Sequence, residues 1–164
     1  MSELIEKTDS VPANSFLGQL RQKRKELTEQ KTLDLNVPGY DGHLVIRYKA
    51  ISDKELELFG RQAQKDKSGM AANSDLLIRA CDDILVREDL EGVAEPLQPG
   101  VKTTFSSGTL GELLGTEANS AREEVAEIFS PAGNQPLAAS QHAEAVINWL
   151  QGNYEEIDKQ LLGE

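Results

Sequence analysis

Hydrophobic and polar positions alternate in two different rhythms along the chain, and the rhythms divide it into segments. Leu33, Leu35 and Val37 alternate with polar residues, and Leu44, Ile46 and Tyr48 do so again. Two runs of period two around Pro38-Gly39-Tyr40-Asp41-Gly42 predict a β-hairpin with one apolar face. An isolated hairpin is marginal in water, so that face must be covered. The next segment changes to a helical rhythm. Ser52 and Glu55 stand as S-x-x-E, Ile51 and Leu56 are placed for a hydrophobic staple, and Leu56, Phe59, Gly60 and Ala63 fall on one helix face. This helix ends near Lys67-Ser68-Gly69. A second helix is expected from about Ser74 to Arg87, with Leu77, Ala80, Cys81 and Ile84 as a stripe that Ile78 and Leu85 widen, packed on the hairpin.

The flanking segments are less regular. Residues 1–14 are polar, contain Pro12 and lack periodicity, which predicts disorder. Ser15 is placed to cap a helix reaching about Gln30. Its apolar residues are sparse (Phe16, Leu17, Leu20, Leu27) and its middle is basic (Arg21, Lys23, Arg24, Lys25). That helix is either a solvated surface element or an arm for an acidic partner. Residues 91–108 read as a loop, acting as a lid, a hinge or a plain linker, and Val86 and Leu97 are placed to flank a short hairpin. The last third predicts a short helix at Thr109–Leu114, bordered by glycines, and another at about Glu117–Phe129 that stops at Ser130-Pro131. A long helix is expected from Pro136 to Leu162. The expected fold is therefore α+β and mostly α-helical. One β-hairpin packs against helices within residues 15–90, and an acidic helical region spans 109–164.

Within the final helix, Ile147, Leu150, Tyr154, Ile157 and Leu161 recur at spacings of three and four, the seam of a helix pair. Full burial of five such side chains contributes about 10 kcal/mol as an upper estimate. They are covered by the protein's own helices, by a second copy of the chain, or by a client helix in a groove. These five are the candidate protein-binding residues.

Charge narrows the choice of partners. The 164 residues carry a net charge of −11, and from Gly108 onward ten acidic residues face two basic ones. Such a surface repels phosphates and anionic lipid, so neither nucleic acid nor membrane is an expected partner. The basic stretch Arg21–Lys31 is the one nucleic-acid candidate, and it lacks interleaved aromatics. A single cysteine, Cys81, permits no internal disulfide and fits a reducing cytoplasm. No apolar run approaches the roughly 20 residues of a membrane span.

No catalytic constellation emerges. His43 and His142 have no partner at metal-ligand spacing, and Cys81 lies in an apolar stripe as a small buried hydrophobe. Asp82 and Asp83 are adjacent on the expected helix and read as a solvated face. Gly108, Gly111 and Gly115 match neither phosphate-binding fingerprint. No enzyme activity, cofactor or metal is expected.

One resemblance adds to this reading. The hairpin ending in Ile46-Arg47-Tyr48-Lys49, the capped Ser52-Asp53-Lys54-Glu55 helix, the stretch Asp75-Leu76-Leu77-Ile78-Arg79-Ala80-Cys81 and Ile84-Leu85-Val86-Arg87 resemble the tail assembly chaperones of long-tailed, non-contractile bacteriophages. The likeness covers Leu33–Arg87 and, loosely, the C-terminal helices. It implies a protein of the host cytoplasm that binds the phage tape measure protein, keeps it soluble, and leaves as tube subunits polymerise around it. The family is often made in two forms, the longer by ribosomal frameshift. No binding-residue set carries over. A contrasting reading is a permanent adaptor of the phage particle, such as a connector or minor tail component.

Overall fold

The computed structural model describes residues 15–29, 32–66, 69–106, 108–133 and 135–163. The chain divides into two units, one ending at Thr32 and one beginning at Leu33. The first contains helix α1 (Phe16–Glu29), whose first turn is closed by Ser15 Oγ accepting the Gly18 amide at 3.0 Å, the expected cap. Phe16 and Leu20 are exposed. The expected disorder of 1–14 lies outside the described residues.

The second unit is a four-stranded antiparallel sheet covered by helices. Strands β1 (Thr32–Asn36), β2 (Leu44–Lys49), β3 (Cys81–Val86) and β4 (Glu95–Pro96) lie side by side in chain order. The first two form the expected hairpin, with Leu33, Leu35, Val37, Leu44, Ile46 and Tyr48 buried. On the polar side Arg47 forks onto Asp34 at 2.8 and 3.0 Å. The hairpin turn passes so close to Pro131 that a Cβ at Gly39, where φ is +95°, would meet backbone at 2.8 Å. Only glycine suits both the dihedral and the space.

Helix α2 (Asp53–Lys65) starts as expected: Ser52 Oγ accepts the Glu55 amide at 3.2 Å. The reciprocal half of the box is replaced, because Glu55 Oε1 instead accepts from Arg79 at 2.8 Å. The segment after it departs from expectation. Helix α3 runs Met70–Ala80, and the chain passes directly into β3 at Cys81 rather than remaining helical to Arg87. Here β3 pairs with β2, placing Ile84 opposite Ile46 and Cys81 opposite Tyr48, with a register shift after Arg47. A short apolar run carries no rhythm long enough to separate strand from helix. Asp82 and Asp83 are weak helix formers, and an open edge of β2 was available to pair.

That strand changes the role of its two acids. On a strand they point to opposite faces. Asp82 pairs with Lys102 at the surface. Asp83 is buried, and its Oδ1 accepts the amides of Ile84 and Thr103, so it is not part of a solvated face. The expected short hairpin around Val86 and Leu97 is formed: Val86 pairs with Glu95, and the Leu97 amide donates to Ile84.

Residues 91–108 lie within the second compact unit. Helix α4 (Thr109–Leu114) is bounded by Gly108 and Gly115, both left-handed, as the glycine spacing suggested. Helix α5 (Ala121–Phe129) begins four residues later than expected because Ser120, not a residue near Glu117, caps it. Its buried Glu124 reaches back and accepts the amides of Ser106 and Gly111, tying down the loop. A 3-10 turn at Ser130–Ala132 follows. Helix α6 (Gln135–Leu150) then packs with α5 on α3, so the C-terminal helices complete one core with the hairpin.

Candidate polypeptide-binding groove

The buried polar groups are structural. His142 lies fully buried on α6, between Tyr48 Oη (2.8 Å from Nδ1) and the Asn36 carbonyl (2.8 Å from Nε2), edge-on to Phe129. Burial pushes its pKa down to about 4, against an opposing pull from the Asn36 carbonyl. Burial likewise pushes the Cys81 thiol up to about 12, with smaller contributions from Asp83 and Asp82, so it stays a protonated core residue. His43 instead contacts the Arg87 carbonyl at 2.7 Å. Among the described residues no group of three or more His, Cys, Asp or Glu is placed to hold a metal ion. No described helix is long and apolar enough to cross a membrane.

The five-residue seam does not form as one helix. α6 ends at Leu150, and the chain turns through Gln151 and left-handed Gly152 into a 3-10 turn at Tyr154–Glu156. Gly152 and Asn153 interrupt what spacing alone read as two heptads to Leu162. Ile147 and Leu150 stay on α6, half-buried, while Tyr154 is 48% exposed. Ile157 and Leu161 are 4% and 7% exposed, packed into the protein's own core. The tail folds back along β1, where the Asn36 amide donates to the Leu161 carbonyl at 2.7 Å. Of the five, Ile147 alone lines the apolar groove beside α2.

That groove lies between α2, α3 and the end of α6 and encloses about 420 Å³. Leu56, Phe59, Gly60 and Ala63 form one wall, Ala72, Asn73 and Leu76 the other, and Ile147 and Gln151 close one end. The α2 stripe was legible as one helix face, but a periodic stripe reads as core-facing. None of the residues of α2 is buried. Leu56 and Phe59 pack only partly against the core, and the remaining apolar surface faces the groove. Polar clasps hold the wall in place. Gln62 donates to Asp75 at 2.9 Å, and Arg79 pairs with Glu55. Asp75 is itself gripped by Arg122 of α5 through a two-pronged contact at 2.8 and 2.7 Å, which draws its pKa below the ordinary value.

The arrangement can take up apolar side chains from another molecule. A cavity of this size with an apolar lining and a few polar edges suits several side chains presented by a helix. Comparison of the chain with protein-family models, with curated proteins and with solved structures returned no match.

Proposed function

We propose that the protein is a phage tail assembly chaperone of the long-tailed, non-contractile type. In this reading it holds an apolar helical segment of the tape measure protein in the α2–α3–α6 groove and keeps that protein soluble until the tail tube forms. The observation that carries the reading is α2, an amphipathic helix whose apolar face is left open along a groove instead of buried. Two features support it. The net charge of −11 keeps a complex with an apolar client dispersed through like-charge repulsion. The sequence likeness to tail assembly chaperones runs through Ser52-Asp53-Lys54-Glu55, where the groove wall begins.

The test is co-expression with the tape measure protein encoded in the same genome. Intact protein keeps that client in the soluble fraction, and Phe59→Asp, which puts a charge into the groove at a side chain only partly packed on the core, loses this effect while circular dichroism shows the fold retained. Equal client solubility with Phe59→Asp refutes the groove. Mass spectrometry of purified particles should find no copies of the protein. A fixed copy number there would instead identify a permanent particle component.

A further inference from the structure

The groove wall contains a glycine that the protein's own structure does not call for. Gly60 sits in the middle of α2 with ordinary helical backbone, and a Cβ added there meets no heavy atom within 4 Å. An interior helix glycine is unfavourable relative to alanine by about 1 kcal/mol, and no close contact among the described residues requires one here. Ala63 and Ala72 continue the small surface along the groove. The large side chains, Leu56, Phe59 and Leu76, flank it. The charged residues along the groove are Asp53 and Glu57, and no Lys, Arg or His is among its described lining residues. Glu57 also faces Arg61 across an exposed ion pair, so Asp53 and the overall charge of −11 carry most of the bias. The partial positive charge at the start of α2, about half an elementary charge, is smaller than one carboxylate.

We infer that the groove's occupant is an amphipathic α-helix with a basic polar face, whose backbone crosses α2 at Gly60 closely enough that any side chain there would obstruct it. This rests on the groove reading above and specifies what the groove selects. Small residues let helix axes approach closely, and flanking large residues then fill the gaps between the incoming side chains. Asp53 favours lysine or arginine beside the apolar stripe, and such rim charges act mainly on association rate and orientation.

The test uses two fluorescein-labelled leucine–alanine peptides of the same helical pattern, one with a lysine polar face and one with a glutamate polar face. Binding to the full chain is read by anisotropy. The lysine peptide should bind about tenfold tighter at low salt, and the gap should close at about 1 M salt, where screening acts within a few ångströms. Asp53→Asn combined with Glu57→Gln should narrow it at low salt. Gly60→Leu should weaken lysine-peptide binding by about tenfold without lowering the unfolding temperature, because the new side chain fills open space rather than a packed site. Gly60→Ala should raise the unfolding temperature while weakening binding, the two effects having opposite sign. Equal binding of both peptides, no saturable binding of the lysine peptide, or wild-type affinity in Gly60→Leu each overturns the inference. If Gly60→Leu binds normally while Phe59→Asp fails to keep the client soluble, the groove stands and only the close helical approach falls.

Discussion

Stability should fall on mild acidification, through a single buried side chain. The Asn36 carbonyl can only accept a hydrogen bond, so His142 Nε2 carries the proton and Nδ1 accepts from the Tyr48 hydroxyl. The neutral ring is thereby satisfied at both nitrogens in a fully buried site. An unfolded histidine titrates near 6.5, whereas the buried ring titrates at about 4, so the folded state favours the neutral form. The contribution is therefore complete above about pH 6.5, declines as pH falls through the window to about 4, and is absent below it. The gap corresponds to about 3 kcal/mol, and about 2 kcal/mol should already be lost at pH 5. The assay is urea unfolding followed through Trp149, the single tryptophan, on the same helix as His142. His142→Gln keeps polar atoms in the site but does not titrate, so it should be less stable than wild type at pH 7 by about 1–3 kcal/mol. Between pH 7 and 5 that difference should shrink or reverse, since the two proteins differ in no other titratable group. Parallel stability curves for the two proteins over that range would refute the reasoning.

Three further outcomes follow from the packing. Glu124→Gln replaces one of two acceptor oxygens with a donor facing the Ser106 or Gly111 amide, so it should cost about 2–3 kcal/mol and speed proteolytic cleavage between residues 88 and 108. Ser52→Ala removes the α2 cap and should cost about 1 kcal/mol; because α2 buries no residue, hydrogen exchange should quicken in α2 first and leave α3 and the sheet protected. Ile157→Ala should destabilise by about 2–4 kcal/mol, whereas exposed Tyr154→Ala should change stability by less than about 0.5 kcal/mol, a contrast that thermal unfolding reads directly and that a continuous helical seam would not give.

How far the sequence disclosed the fold depended on whether its signals were local. The hairpin, the Ser15, Ser52 and Ser130-Pro131 boundaries and the glycine-bounded α4 were all readable, because a cap, a turn or a two-residue alternation is complete within a few positions. Cys81–Val86 was not readable as a strand. Its apolar residues fit a helical stripe and a strand equally, and the deciding factor, the free edge of β2, lies more than 30 residues away in sequence. Asp83 and Glu124 were likewise invisible as buried acceptors, since their partners are backbone amides distant in the chain or in their own strand, which leave no side-chain signature. The seam failed for a different reason. Gly152 and Asn153 break the helix despite the three-and-four spacing, and the spacing of Ile157 and Leu161 arises from a folded-back tail rather than a helix.

The groove shows why a helix periodicity cannot by itself separate core from interface. Leu56, Phe59, Gly60 and Ala63 have the same spacing whether the covering surface belongs to this chain or to another. The distinction appears only once α3 and α6 are in place and prove too few to close over α2. What the sequence did contain was an inconsistency within the stripe. A core-facing helix gains from filling each position, yet Gly60 leaves one empty at a cost in helix propensity, and the surrounding structure supplies no close neighbour to account for it. A local rule broken on an otherwise well-capped helix, at a position that faces open space, is what the proposed docking of an outside helix would account for.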